Sequence, residues 1–216
     1  MDSPYIISEI KVNTIDGLTR EQISNLPERE WQAFHKKNKE QIWKRDNFNF
    51  SQRELMLVDV REQIDLGFNA YFANGILLGA YRSDDFIPWD DDIDFDVLAP
   101  DFYNKCDEVK EAFIDKGYIV YLNKQPGIAK LNIYKNLEKI SFDVLFDMDE
   151  YYYYRLDCKW PKYLYEKEYQ INFKGSDYKC PGPIEEYLVH VYGEDWTVPK
   201  NYPVKKDTLS RGLFIR

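Results

Sequence analysis

The densest group of chemically capable side chains lies at residues 90–96, where the sequence reads DDDIDFD. Side chains of an extended strand alternate between two faces, so Asp92, Asp94 and Asp96 would share one face and the apolar residues the other. The apolar face can be buried against a helix, which leaves the carboxylates facing water or a cation. Like charges this close raise one another's pKa unless a divalent metal ion offsets them. The spacing therefore predicts a site for Mg²⁺ or Mn²⁺, the hard cations that suit carboxylate oxygens.

Two simpler interpretations of the acidic run are a calcium loop and a solvated strand end. In a calcium loop that starts at Asp90, the sixth position should be Gly and the twelfth Glu, but the sequence has Phe95 and Asp101 there. A solvated acidic edge stays open as an alternative. It gives no role, however, to the glycines upstream, to Arg82 or to the Ile-Pro-Trp run at 87–89.

A glycine turn precedes the acidic run, because Gly75 follows a predicted strand at 68–73 and precedes a helical pattern. A glycine at a strand-to-helix turn lets a phosphate approach the backbone, and the amides of the helix start can donate to it. An ordinary tight turn is the alternative. Arg82 can bind a phosphate group through two parallel hydrogen bonds, or it can form a surface salt bridge with Asp84 or Asp85.

Two separated motifs in this chain resemble one known family. The runs GILLGAYR at 75–82 and IPWDDDID at 87–94 are similar to the signature of the LicD family, which includes the fukutin-related proteins. The runs PIEEYL at 183–188 and YGEDW at 192–196 resemble the closing motif of the same family. Together the matches span about residues 52–199, and the main departure is Asn74, where many relatives have a second glycine. The stretch before residue 50 has no counterpart in the resemblance.

The resemblance implies a fold and an activity. The fold would be a nucleotidyltransferase-like α/β (α+β) domain, with a mixed β-sheet and helices packed on it. The activity would be transfer of a phospho-alcohol, such as phosphocholine or ribitol phosphate, from a CDP-linked alcohol donor to a hydroxyl of a glycan or lipid-linked glycan acceptor, with release of CMP. Two alternatives stay open: a nucleotidyltransferase that releases pyrophosphate, and a non-catalytic module that binds nucleotide or a divalent cation.

The resemblance also implies roles for particular residues. Asp92 and Asp94 would hold the metal ion, with Asp90 as an additional ligand and Asp143 as the third carboxylate on a neighbouring strand. The catalytic set is then Asp92, Asp94 and Asp143, and the donor-binding set is Gly75, Leu78, Gly79 and Arg82. Asp143 would either bind the ion or accept the proton of the acceptor hydroxyl. It is preferred to Asp147 and Asp149 because it lies inside an apolar strand pattern, Phe142-Asp143-Val144.

Composition restricts the remaining classes of function. A chain of 216 residues with 44% hydrophobic and 17% aromatic residues can bury one sizeable core. We divide it into an accessory segment with one helix at 1–50, a catalytic domain at 51–200 and a tail at 201–216. The net charge of −9 argues against nucleic-acid binding, which draws its affinity from clustered Lys and Arg.

The cysteines and the apolar runs indicate where the protein works. The three cysteines are an odd number without metal-binding spacing, so they predict a reducing compartment rather than a disulfide framework or a zinc site. The first residues carry no signal-peptide pattern, and no run of about 18 apolar residues occurs. We therefore expect a soluble, cytoplasmic protein without stable membrane insertion.

Several elements that would position the site can be read from periodicity. Ser51 and Glu54 form a capping box, which predicts a helix that points Leu55, Val58 and Ile64 inward and ends at Gly67. Further helices are predicted at 27–46, at 100–116 with Phe102, Cys106, Val109 and Phe113 inward, and at 183–193; strands are predicted at 118–122, 128–134 and 139–146.

Overall fold

The computed structural model describes residues 50–199, except residues 89, 91, 126, 137 and 155–157, and also the single residues 22, 27, 30, 33, 34 and 37. The helix predicted at 27–46 lies outside the described residues apart from those single positions, and so does the tail at 201–216. The domain boundaries at residues 50 and 200 therefore stay predictions.

The described part of the chain contains five helices and nine strands. In order they are α1 (Phe50–Asp65), β1 (Ala70–Phe72), α2 (Asn74–Ser83), β2 (Ile93–Leu98), α3 (Ala99–Asp115), β3 (Ile119–Asn123), β4 (Lys130–Lys135), β5 (Glu138–Met148), β6 (Tyr151–Tyr154), β7 (Cys158–Pro161), α4 (Tyr163–Glu166), β8 (Tyr169–Phe173), β9 (Ser176–Cys180) and α5 (Ile184–Tyr192). None of the described helices is both long and apolar enough to cross a lipid bilayer.

The strands form one mixed sheet in the order β3-β4-β5-β2-β1-β9-β8. The central pair, β2 and β5, is parallel, whereas β1 pairs antiparallel with β2 and β4 pairs antiparallel with β5. The far end of β5 pairs with β6, which continues the sheet into β7. The predicted mixed α/β fold is confirmed.

The core lies on one face of the central strands. Ile93, Phe95 and Val97 of β2 have no exposed surface, and they stand in register with the equally buried Ile140, Phe142 and Val144 of β5. The rings of Phe95 and Phe142 stack with 5.2 Å between their centroids. Helix α3 covers this face with Phe102, Cys106, Val109 and Phe113, as its periodicity predicted, so Cys106 is a core residue.

Helix α1 buries a different face from the one predicted. Leu55 and Val58 are 63% and 66% exposed, while the helix turns Arg53, Met56 and Val60 inward. Arg53 is fully buried because Glu138, at the start of β5, accepts a hydrogen bond from its Nε at 2.9 Å. The buried face of this helix thus contains a long-range ion pair, whereas the apolar pattern used for the prediction pointed to the wrong face.

The C-terminal helix α5 agrees with its prediction. It follows Pro183 and ends at Gly193, whose φ of +88° is a conformation that favours glycine. The ring of Trp196 then lies 5.8 Å from the ring of Tyr81 on α2, measured between centroids. The chain after α5 is thereby held against α2, the helix that carries the glycine motif.

Candidate active site

The parallel pairing of β2 and β5 assembles a polar face opposite the core. Asp94 stands in register with Ser141, and Asp96 stands in register with Asp143. Partners in a parallel ladder project from the same face of the sheet, so these four side chains lie side by side. The neighbouring strand that the family resemblance required for the third carboxylate is β5, and it brings Asp143 next to the acidic strand.

The pKa of Asp94 responds to the other carboxylates around this face. Burial raises the pKa of Asp94 well above its ordinary value, and the charges of Asp92, Asp143 and Asp90 raise it further. These four are the residues predicted to hold a metal ion. Their mutual influence shows that the fold has gathered them closely enough to act on one another, at a cost in free energy that a cation could offset.

Two lysines that the sequence did not single out lie among these carboxylates. Lys139 forms an ion pair with Asp92, and the Nζ of Lys130 lies 2.7 Å from the Oδ1 of Asp143. Burial acts to raise the pKa of Asp92, but Lys139, Lys130 and a hydrogen bond from Ser141 outweigh it and leave that pKa below its ordinary value. Period two placed Lys139 on the same face as Asp143, whereas Lys130 required the β4–β5 register.

Asp90 lies in the loop before β2, and its carboxylate is packed against Gly75 at the beginning of α2. A Cβ atom added to Gly75 would stand 1.8 Å from the Oδ2 of Asp90, so the glycine is required for the carboxylate to fit there. Arg53 donates from its Nη2 to the carbonyl oxygen of Asp90 at 2.9 Å and so fixes the loop before β2. Gly75 itself lies in the first turn of α2 rather than in a turn before the helix.

The start of α2 has a second polar partner. The backbone amide of Asn74 donates to the hydroxyl of Tyr187 at 3.1 Å, and Tyr187 is a fully buried residue of α5. The carboxylate of Asp90 therefore lies against Gly75, and the tyrosine hydroxyl contacts its neighbour Asn74. Phosphate binding by Gly75 stays a prediction.

The other predicted donor-binding residues occupy different environments. Leu78 is buried, and a Cβ on Gly79 would stand 2.5 Å from the carbonyl oxygen of Asp85, so Gly79 permits close packing of α2 on the following loop. Arg82 is half-buried and donates to the carbonyl oxygen of Trp196 at 3.2 Å. Asp85, one of the two salt-bridge partners considered for Arg82, pairs with Lys174, whose Nζ lies 2.8 Å from its Oδ1.

Tyr192, the last residue of α5, was not indicated by the sequence as a site residue. Burial raises the pKa of Tyr192 well above its ordinary value, Asp90 and Asp94 raise it further, and the charge of Arg82 lowers it. The charges of these carboxylates and of Arg82 therefore act on the same hydroxyl.

Asp96 belongs to the acidic face but has a separate, buried environment. It is 1% exposed, and the hydroxyl of Tyr165 donates to its Oδ2 at 2.6 Å. Burial raises the pKa of Asp96 to about 8, although the Tyr165 hydrogen bond lowers it. Its alternation with Phe95 was predicted, but its enclosure by a tyrosine from α4 could be seen only in the folded chain.

The two rejected candidates for the third carboxylate lie elsewhere. Asp147 is near the end of β5, where its Oδ1 is 2.6 Å from the Nζ of Lys162. Asp149 is in the exposed turn that follows, with a φ of +51°. Of the three, Asp143 is the one that lies beside β2.

The carboxylates of this face suit a hard divalent cation, but Asp92 and Asp143 are paired with lysines. Carboxylate oxygens from Asp90, Asp92, Asp94 and Asp143 are ligands that Mg²⁺ and Mn²⁺ prefer. Among the residues that the structure describes, no three His, Cys, Asp or Glu side chains converge as they stand on one ion position. Lys139 and Lys130 engage Asp92 and Asp143. The residues fit the metal chemically, and metal binding at this face stays a prediction.

The sequence matches one family model, and solved structures with a similar chain are known. The family model described as "LicD/FKTN/FKRP, nucleotidyltransferase domain" matches residues 67–182. Among solved structures, one similar chain is titled "Crystal Structure of ANT(2")-Ia in complex with adenylyl-2"-tobramycin", with 16% identity over 74% of this chain and 86% of that chain and a TM-score of 0.42. A solution structure of ANT(2'')-Ia has 15% identity over 76% of this chain and 83% of that chain, with a TM-score of 0.46. No curated protein matches the sequence.

Proposed function

This chain belongs to the family LicD/FKTN/FKRP, nucleotidyltransferase domain, and we propose that it transfers a phospho-alcohol from a CDP-linked donor to a hydroxyl of a glycan or related acceptor. The observation that carries the proposal is the juxtaposition on adjacent parallel strands of Asp94 and Asp96 with Asp143, beside Asp92. Carboxylates gathered in this way suit metal-dependent transfer of a phosphoryl group.

The proposed step is a direct displacement at phosphorus. The acceptor hydroxyl oxygen forms a bond to the phosphorus that carries the alcohol, and the bond from that phosphorus to the bridging oxygen of CDP breaks. CMP leaves with the electron pair of the broken bond. The proton of the acceptor hydroxyl passes to a carboxylate, for which Asp143 is the proposed acceptor.

Asp90, Asp92, Asp94 and Asp143 are the proposed ligands of Mg²⁺ or Mn²⁺. When bound, such an ion stabilises negative charge on phosphoryl oxygens and on a departing phosphate. Asp143 has two carboxylate oxygens, so one can serve the ion while the other accepts the proton. Ser141 donates to the Oδ2 of Asp92 at 3.2 Å and orients that ligand, and Arg53 holds the loop that carries Asp90.

Residues of α2 are proposed to hold the donor. Arg82 supplies a positive charge on α2, which suits a second phosphate of the donor. Gly75 and Leu78 lie on the same helix, and Gly79 lets that helix pack closely on the loop at 85–87.

The three free thiols suit a reducing environment, so we propose that the reaction takes place in the cytoplasm.

The product that leaves tests the proposal. We expect CMP to be released when the protein is incubated with Mn²⁺, CDP-choline or another CDP-linked alcohol, and a panel of oligosaccharide acceptors, with the phospho-alcohol recovered on the sugar. Asp92→Asn and Asp143→Asn should abolish release, since each removes a charge with little change in volume. Asp147→Asn is the matched control, because Asp147 lies on the same strand as Asp143 but pairs with Lys162.

Two outcomes would contradict the proposal. Release of pyrophosphate from CTP, with the nucleotide incorporated into the acceptor, would assign nucleotidyl transfer to the same carboxylates. Protection from thermal unfolding by CDP-linked compounds without turnover for any acceptor would indicate a binding module.

A further inference from the structure

We propose that Lys130 and Lys139 are internal counter-ions that hold Asp143 and Asp92 before a metal ion binds and that then turn to the phosphates of the donor. The inference rests on the proposed function, since it concerns how the same carboxylates receive the metal and the nucleotide. It assigns to the two lysines a part in positioning substrate that neither motif of the sequence indicates.

The two ion pairs are substantially enclosed. The side chains of Lys130 and Asp143 are 17% and 9% exposed, and those of Lys139 and Asp92 are 18% and 12% exposed. Ion pairs on an exposed surface contribute little, but charges removed from water need a partner. The two ammonium groups therefore offset part of the negative charge that the fold gathers around Asp94.

A divalent ion and a lysine compete for these carboxylates. A cation bound directly to Asp92 and Asp143 would lie close to both ammonium groups, and like charges repel strongly where water is scarce. The Lys130–Asp143 contact is 2.7 Å long, but the Oδ1 of Asp143 has no well-directed hydrogen bond within the described part of the chain. Charge rather than geometry holds this pair, so a better cation can replace the lysine.

Lys130 and Asp92 each have a second polar neighbour. The hydroxyl of Tyr154 lies 3.4 Å from the Nζ of Lys130, whose ammonium group is also 6.0 Å from the centre of the Tyr154 ring. Ser141 keeps a hydrogen bond on Asp92 when Lys139 moves away. A lysine has a flexible four-carbon stem, and a diphosphate brings the anionic oxygens that two freed ammonium groups require.

Exchange of counter-ions couples the two ligands. The metal ion alone must displace lysines that gain no new anionic partner, so its binding to the free protein is weakened. With a diphosphate present the lysines are satisfied, and the metal binds more tightly. Coupling between ligands is reciprocal, so the metal must raise the affinity for the nucleotide by the same factor.

Calorimetry of the full-length protein separates these effects without any turnover. We expect Lys130→Met and Lys139→Met each to bind Mn²⁺ about tenfold more tightly than wild type when no nucleotide is present, because a competing cation is gone. With Mn²⁺ saturating, the affinity of both variants for CDP should fall about tenfold. The coupling between Mn²⁺ and CDP should shrink accordingly.

Lys135→Met is the matched control. Lys135 lies on the same strand as Lys130, but its Nζ donates to the carbonyl oxygen of Lys116 at 2.9 Å and contacts the ring of Tyr118. Its removal should change neither affinity. Lys130→Gln and Lys139→Gln serve if the methionine variants do not fold, since Gln keeps a polar tip without the charge.

A measurement on unmutated protein gives a second check. With the lysines reductively ¹³C-methylated, the resonances of residues 130 and 139 should shift when Mg²⁺ is added and shift again with CDP, while that of residue 135 stays in place. Mn²⁺ affinity that is unchanged or weaker in the lysine variants would overturn the inference while leaving the metal site intact. Absence of Mn²⁺ binding by wild type would instead remove the metal site on which the proposed function depends.

Discussion

The two faces of strands β2 and β5 differ in what occupies them and in how their side chains are satisfied. On one face Ile93, Phe95, Val97, Ile140, Phe142 and Val144 are fully buried and contact only apolar neighbours in this pairing. On the other face Asp94 and Asp96 stand next to Ser141 and Asp143, with lysines and a tyrosine as partners. Successive residues of one strand therefore serve opposite purposes.

The comparison shows how a small domain can keep an unfavourable group of charges in place. Complete burial of a large apolar side chain stabilises a fold by roughly 1.5 to 3 kcal/mol. Like charges that are close and partly removed from water act in the opposite direction. Because alternation places both kinds of residue on the same strands, the apolar face holds the carboxylates where mutual repulsion alone would separate them.

The largest effect on stability is expected from the apolar face. Phe95→Ala should lower the free energy of unfolding by about 3 to 5 kcal/mol, because the ring is fully buried and stacks on Phe142. Denaturant unfolding followed by circular dichroism measures the loss. Tyr121→Ala on β3 is the control, since Tyr121 is 42% exposed and its truncation should cost less than about 1 kcal/mol. Equal losses for the two variants would mean that the apolar face is not the main source of stability.

A similar loss is expected at the buried ion pair between Arg53 and Glu138. Arg53→Met should lower the free energy of unfolding by about 3 kcal/mol, because Glu138 would keep a buried charge and the carbonyl of Asp90 would lose a donor. Adding Glu138→Leu should recover a large part of the loss, as an apolar pair replaces an ion pair. A double variant that is as unstable as the sum of the two single variants would argue against this interaction.

A smaller effect is expected at the junction of α2 and the acidic loop. Gly75→Ala should lower the free energy of unfolding of the metal-free protein by about 1 to 3 kcal/mol, because the new Cβ would overlap the carboxylate of Asp90. Mn²⁺ affinity measured by calorimetry should fall as well. In an Asp90→Ala background the same change should be neutral or stabilising, since Ala is the better helix former by about 1 kcal/mol. Persistence of the full cost in that background would show that Asp90 is not the obstacle.

The smallest effect on stability, with the largest on activity, is expected at Asp94. Asp94→Asn removes one of several like charges and little volume, so the free energy of unfolding without metal should stay the same or rise by up to about 1 kcal/mol. CMP release should be abolished. A marked loss of folded protein would instead assign Asp94 a structural role.

Much of the site's composition was readable from local periodicity. The alternation in 90–97 predicted which residues of β2 face the core and which face the site, and the buried face of α3 was predicted correctly. The same approach failed for α1, where apolar Leu55 and Val58 are exposed. It failed there because the buried face of α1 includes Arg53, whose partner Glu138 lies 85 positions away in the chain.

The sequence by itself determined the two faces of the acidic strand and the ends of α3 and α5, because side-chain alternation, helix periodicity and helix-ending glycines act within a few residues. It also indicated the family, through two separated motifs. Only the tertiary structure decided the partners: Asp143 beside Asp96, Asp90 against Gly75, and the lysines on Asp92 and Asp143. Strand pairing and register join residues about 50 positions apart, as Asp94 and Ser141 show. They depend on the burial of the whole sheet, which no local pattern specifies.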